Sequence, residues 1–238
     1  MSKITIVTGG SRGIGGAAAK LLASHGHAVC VNYVSNADAA SKVVDEIEAA
    51  GGRALTVQAD ISVEADVMRM FETVDKELGT LTGLVNNAGT NGRRTRVDDL
   101  QPDEIRQLLD INVLGCILCA REAVKRMSTN HGGKGGAIVN VSSGSANIGN
   151  PGIGVLYATS KGALNSFSIG LAQEVAAEGV RVNIVAPGMT QTDMPGADRI
   201  VAQASKIPMG RVAKPIEVAE AIYFLLSDNA SYIAGANI

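Results

Sequence analysis

Tyr157 and Lys161 stand four residues apart in Tyr157-Ala158-Thr159-Ser160-Lys161. They lie within Leu156 to Glu178, where apolar residues recur at helical spacing. On a helix this separation puts both side chains on one face. Tyrosine ordinarily titrates near ~10, too high for acid–base work at neutral pH, and a lysine ammonium beside it favours the phenolate. Upstream, Ser142-Ser143 follows Ala137 to Val141, an apolar run that reads as a strand. A serine delivered from a strand end can hydrogen-bond the oxygen that gains or loses the proton. Adjacent strand residues point to opposite faces, so only one serine can serve; Ser143 is the candidate and Ser142 its rival. The set suits interconversion of a carbonyl and an alcohol better than hydrolysis, because nothing activates the serine as a nucleophile. Taken alone, Tyr-x-x-x-Lys fits an ordinary exposed helix face equally well.

The elements that must position these groups come earlier in the chain. Ile4 to Val7 reads as a strand and runs into Thr8-Gly9-Gly10-Ser11-Arg12-Gly13-Ile14-Gly15, after which a helix passes through Ala17, Ala18, Leu21 and Leu22. Glycines at such a turn let backbone N–H groups approach a pyrophosphate at a helix N-terminus. No Gly-Lys-Ser/Thr closes the motif, which excludes a kinase-like P-loop. Further strands are expected at Ala28 to Tyr33, Ala54 to Gln58, Leu84-Val85 and Val180 to Val185, with helices at Ala37 to Ala50, Glu64 to Leu78 and Pro215 to Leu226. Alternating strands and helices predict a mostly parallel sheet covered on both faces, with ligands at the carboxyl ends of the strands. The glycine turn, Asp60-Ile61 and Asn86-Asn87-Ala88-Gly89 all fall there. Asp103 to Met127 reads as one long helix interrupted only by Gly115. On its apolar stretch Asn112 either caps a local backbone break or reaches toward the site. Residues 193–210 are expected to form a lid on the substrate side, and Tyr232 to Ile238 to start a last strand. The reading is of a single domain over 1–238, without repeats or low-complexity segments.

Composition removes several function classes. Lys+Arg 21 against Asp+Glu 23, with no basic block, gives no support for nucleic acid, and aromatics at 3% without Trp leave little for base stacking. No apolar run approaches the ~20 residues of a membrane span. The chain opens Met-Ser-Lys and goes directly into a strand, without a secretory pattern, so a cytoplasmic protein is expected. Three cysteines argue against a disulfide scaffold, and Cys116-Ile117-Leu118-Cys119 sits inside an apolar run, where buried packing outweighs redox or metal use. His25, His27 and His131 are scattered without metal-ligand spacing, so no metal site is expected.

In this order the motifs resemble the short-chain dehydrogenase/reductase family over essentially the whole length. The glycine turn is similar to its cofactor-binding turn, Asn86-Asn87-Ala88-Gly89 to the segment after the fourth strand, and Ser143, Tyr157 and Lys161 to its catalytic serine, tyrosine and lysine. Asn112 falls where the family's catalytic asparagine would be, and Pro187-Gly188 with Thr190 and Thr192 resembles the nicotinamide-side loop. The resemblance implies a Rossmann-type, doubly wound, seven-stranded α/β sheet and hydride transfer at a ketone or secondary alcohol. It implies Tyr157 as general acid or base, Lys161 on the nicotinamide ribose, Ser143 on the substrate oxygen and Asn112 anchoring a water. Asp60-Ile61 and Asn87 would bracket the adenine half, and Thr192 would meet the carboxamide. A homo-oligomer, tetramer or dimer, is also implied. Family members usually carry a few residues beyond the Tyr-Ile-Ala-Gly-Ala-Asn-Ile end seen here.

NADP(H) is expected in preference to NAD(H), which stays open with an NAD-dependent sugar or small-alcohol dehydrogenase as the alternative. An NAD site places an acid at the end of the second strand, some 20 residues past the turn. Here that stretch is Val31-Asn32-Tyr33-Val34-Ser35, with no acid. Arg12 is the natural counter-charge for a 2′-phosphate, and Asn32 and Ser35 are uncharged donors. Ile148, Gly149, Ile153, Val155, Met189, Gln191 and Met194 are expected to approach a substrate cleft with little charge. Arg93, Arg94 and Arg96 at its rim would suit an anionic head or an acidic acyl carrier protein, or else form a solvated loop face. A non-catalytic binding protein of the same fold would have lost the tyrosine or lysine; both are present.

Overall fold

The computed structural model describes residues 3–192, 205 and 207–238. Six strands, β1 (Ile4–Val7), β2 (Ala28–Tyr33), β3 (Arg53–Gln58), β4 (Gly83–Asn86), β5 (Gly136–Val141) and β6 (Val180–Val185), form one parallel sheet in the order β3-β2-β1-β4-β5-β6. The inner strands are nearly unbroken Val, Ile, Leu and Ala because both of their faces are covered. Ile6, Cys30, Leu84 and Ile138 face helices α3 (Glu64–Glu77), α5 (Gly115–Met127) and α7 (Val155–Val175). Their neighbours Val7, Val31, Val85 and Val139 face α1 (Gly13–Ser24), α2 (Ala37–Ala49) and α8 (Pro215–Leu226). Strand order reverses between β1 and β4, so the switch point opens where the glycine turn and Asn86 to Gly89 emerge.

The expected seventh strand is reduced to a short pairing. Gly235 turns the chain with φ 76° onto the edge of β6, where Ile184 N–H reaches Ala236 O at 2.8 Å and Ala186 N–H reaches Ile238 O at 2.7 Å. Ile184 and Asn237 form an isolated parallel bridge outside the named strands.

The single long helix expected over 103–127 is three pieces: α4 (Pro102–Leu109), a π-turn at Asp110–Leu114, and α5. Gly115 does not break the helix. A Cβ there would come within 2.7 Å of Ile61, so the glycine lets α5 settle onto the segment after β3.

Side chains at the carboxyl edge of the sheet fix the glycine turn. Thr8 Oγ1 accepts the N–H groups of Asn87 and Ala88, both at 3.0 Å. Asn87 Nδ2 donates back to the carbonyls of Thr8 (2.9 Å) and Gly9 (3.1 Å). From β2, Asn32 Oδ1 accepts Gly9 N–H at 3.1 Å, while its Nδ2 donates to Ala59 O at 2.9 Å and Val57 O at 3.3 Å. Gly9 sits at φ 61°, and a Cβ on Gly15 would stand 2.4 Å from its carbonyl oxygen, so both positions require glycine. Burying one of these groups without its partner costs about 1–3 kcal/mol. Asn32→Leu therefore should lower the unfolding free energy by at least about 1 kcal/mol in urea titrations; a loss below about 0.5 kcal/mol would show that Asn32 does not brace the turn.

Candidate active site

Helix α7 brings Tyr157 and Lys161 against the end of β5. Lys161 is buried, and its Nζ donates to Val141 O, at the last residue of the strand, at 2.8 Å. The ammonium also lies 5.9 Å from the centroid of the Tyr157 ring, within cation–π range. Tyr157 is half-buried, and its hydroxyl makes no hydrogen bond to the described residues. The two serines part as strand alternation requires. Ser142 is buried and donates to the Lys161 carbonyl at 3.2 Å, whereas Ser143 is half-buried and its Oγ accepts Ser145 N–H at 3.1 Å. That bond uses a lone pair of Ser143 and leaves its hydroxyl hydrogen for a ligand.

Ser143, Tyr157 and Lys161 share a cleft of about 530 Å³ with Ile14, Asn87, Gly89, Pro187, Gly188, Thr190 and Thr192. The loop after β6 is tied to the loop after β5 by Gly144 N–H on Pro187 O at 3.0 Å. Thr192 closes on the glycine turn so tightly that a Cβ on Gly13 would meet its methyl at 3.2 Å. The N-terminus of α1 has no side-chain cap and no acidic residue in its first turn. Its free N–H groups and positive dipole end are thus open to an anion, as a dinucleotide pyrophosphate requires. The residues present fit such a cofactor. Beyond the turn, a second cavity of about 400 Å³ is lined by Ser11, Arg12, Gly13, Lys20, Lys42 and Glu46, among others.

Other residues singled out in the sequence hold the site together without lining it. Asn112, on the π-turn, is fully buried; its Oδ1 accepts Thr90 N–H (2.8 Å) and its Nδ2 donates to Thr90 O (2.9 Å) and Ser160 Oγ (3.0 Å). Both N–H groups of that amide go to protein partners next to Lys161, rather than toward solvent. The Asn32 amide is likewise committed inward, so it offers no donor to a 2′-phosphate. Asp60 Oδ1 accepts the N–H (2.9 Å) and hydroxyl (2.6 Å) of Ser62, and Ile61 is buried in the core under α5. Ala88 backs onto Gly9. Ile148, Ile153 and Met189 line the cleft as expected, and Gln191 borders the second cavity. Met194 and most of the expected 193–210 lid lie outside the described residues.

Sequence reasoning missed Asn91 and Asn150 on the cleft wall and Lys20 and Lys42 beside Arg12. Asn150 carries a signal only in the backbone, a left-handed φ of 46° that turns its amide onto Ser145 Oγ at 2.8 Å. Lys42 is displayed by the α2 face, a tertiary placement with no local motif. Cys116 and Cys119 are buried and burial pushes both thiols up, which agrees with packing in place of redox chemistry. Among the described residues no cluster could hold a metal ion, and no helix is long and apolar enough to cross a membrane.

A family model described as enoyl-(acyl carrier protein) reductase matches residues 9–238. The uncharacterized oxidoreductase YgfF of Escherichia coli (strain K12) is 50% identical, covering 99% of this chain and 97% of its own length. Carbonyl reductase family member 4 of Danio rerio is 41% identical over 99% of this chain and 94% of its own. Among solved structures, a short-chain dehydrogenase from Burkholderia cenocepacia J2315 in complex with NADP superposes with a TM-score of 0.93 at 37% identity, covering 99% of this chain and 95% of that one. Agreement of that extent, on a sheet whose switch point opens into this cleft, shows that the chain belongs to the short-chain dehydrogenase/reductase family of oxidoreductases.

Proposed function

We propose that the protein is a single-domain, cytoplasmic oxidoreductase that transfers a hydride between NADP(H) and a ketone or secondary alcohol. The observation that carries this reading is the convergence of Tyr157, Lys161 and Ser143 on one cleft that continues to the uncapped N-terminus of α1. When bound, the nicotinamide supplies or takes up the hydride. The chain supplies the rest. Ser143 donates its hydroxyl hydrogen to the substrate oxygen and fixes the carbonyl in place. Tyr157 gives its proton to that oxygen in reduction and removes it in oxidation. Lys161, with one N–H on Val141 O, has further hydrogens for the nicotinamide ribose. Asn112 is a positioning residue that holds Thr90 and Ser160 around the lysine. Asn87, Gly89, Pro187, Gly188, Thr190 and Thr192 form the cofactor wall, with Thr192 toward the carboxamide and Asp60 toward the adenine. A homo-oligomer, tetramer or dimer, belongs to this reading through the family resemblance.

NADP(H) is preferred on two grounds. The end of β2 carries no acid to repel a 2′-phosphate, and Arg12 and Lys42 line the cavity beside the turn, where Lys20 pairs with Glu46 at 2.8 Å. The solved relative that superposes so closely holds NADP.

Tyr157→Phe should lower turnover ~10²–10⁴-fold while leaving NADPH binding within a few-fold. Steady-state assays with a ketone panel, paired with NADPH fluorescence titration, check this; turnover within a factor of two of the parent would remove Tyr157 from the chemistry. Arg12→Ala should raise the NADPH dissociation constant by one to two orders of magnitude, as expected for ~1.4–3 kcal/mol, with NADH nearly unchanged. Equal losses for both cofactors would mean that Arg12 supports the turn without reading the phosphate. Tighter NADH binding by the parent would reverse the preference.

A further inference from the structure

Of the three arginines in the loop after β4, two are already spent. Arg93 makes a forked pair with Glu104 of α4, at 2.6 and 3.1 Å, and also reaches the Asp99 carbonyl. Arg96 pairs with Asp98 at 3.0 Å. Arg94 has no ion pair or hydrogen bond among the described residues, and it lines the same cleft as Ser143 and Tyr157. Among the described residues no Asp or Glu lines that cleft, and Arg94 and Lys161 are its only charged lining residues. Its opposite character is apolar: Ile148 and Ile153 line it while 70% and 44% exposed.

The backbone leading into Arg94 is anchored. Asn112 holds both polar groups of Thr90, and Gly92 lies so close to α4 that a Cβ would meet Leu108 at 2.8 Å. The Arg93–Glu104 fork fixes the adjacent residue. A guanidinium carried on such a loop loses less backbone freedom when it binds, and its planar donors match carboxylate or phosphate oxygens in pairs.

We propose that Arg94 is the specificity-determining residue of the cleft and reads an anionic group, carboxylate or phosphate, at the end of a substrate with an apolar body. The apolar body lies on Ile148 and Ile153, and the reacting oxygen meets Ser143 and Tyr157. This assignment rests on the carbonyl/alcohol reading above and narrows its substrate class to ketones or alcohols bearing an anion.

The test has a binding arm and a turnover arm on the full chain. Octanoate, octyl phosphate and octan-1-ol are titrated by calorimetry into NADPH-loaded parent, Arg94→Gln and Arg94→Lys. In the parent an anion should bind at least roughly tenfold tighter than octanol; Arg94→Gln should erase most of that ratio and Arg94→Lys retain part of it. The tighter of the two anions tells carboxylate from phosphate. An anion-to-octanol ratio equal in parent and Arg94→Gln overturns the proposal, as does a parent without the anion preference. In the turnover arm, NADPH-dependent reduction of 7-oxooctanoate and its methyl ester is compared; Arg94→Gln should raise KM for the acid at least roughly tenfold more than for the ester. If neither ketone is reduced but the binding ratio responds, the carbonyl reading fails and Arg94 stands. If both are reduced and neither ratio responds, Arg94 fails and the carbonyl reading stands.

Discussion

An ammonium taken out of water must find an acceptor, and Lys161 finds the carbonyl of Val141 at the end of β5. The rest of the site follows from that bond. It ties the second turn of α7 to the carboxyl edge of the sheet. Tyr157, one turn earlier, is then carried over the cleft, and Ser143, two residues after Val141, enters from the strand side. Ser142 reinforces the junction by donating to the Lys161 carbonyl at 3.2 Å. Burying a charge for a single protein acceptor is poor economy for the fold alone. It is sound for a cation whose remaining hydrogens are wanted by a ligand.

A second constraint acts at the same edge. Parallel strands end with backbone groups that no further strand satisfies, and here short polar side chains meet them. Thr8, Asn32 and Asn87 close the glycine turn on β1, β2 and β4. Deeper in, Asn86 Nδ2 bonds Asn140 Oδ1 at 2.9 Å and Cys116 O at 3.0 Å, and Asn140 Nδ2 reaches Ser168 Oγ at 2.8 Å. These amides join β4, β5, α5 and α7 through the interior, so the walls of the cleft are set by the packed core.

The readable part of the site was its local part. Tyr157 and Lys161 share a face because a helix repeats every 3.6 residues, and the glycine turn announces itself between a strand and a helix. Strand alternation separates Ser143, the candidate, from its rival Ser142, and the structure adds where each hydroxyl group sits at the cleft: Ser142 donates to the Lys161 carbonyl and Ser143 accepts Ser145 N–H. Asn32 resembled a phosphate donor in the sequence, yet the register of β2 turns its amide under Gly9. The π-turn at Asp110–Leu114 went unread because the residue it inserts rotates the apolar stripe by ~100°, and the eight residues of α4 ahead of it are too few to set a phase against which that shift would show. Arg94 could not be told from Arg93 because the carboxylate of Glu104, which removes Arg93 from contention, comes from α4, whereas the partner of Arg96 is the nearby Asp98. The last strand read as a strand, but its backbone ladder to β6 begins only at Gly235, whose N–H donates to Val182 O at 2.8 Å.

The central claim is that the buried charge of Lys161 is kept for the chemistry at a cost to the fold. Lys161→Met removes the charge and keeps most of the packing volume. Turnover and thermal unfolding of this variant, followed in one preparation, test the claim most directly. Turnover should fall by at least ~10²-fold while the melting temperature stays level or rises, as when a buried charge gives way to an apolar side chain. A variant that keeps parental turnover, or one whose melting temperature drops in step with its activity, would contradict it.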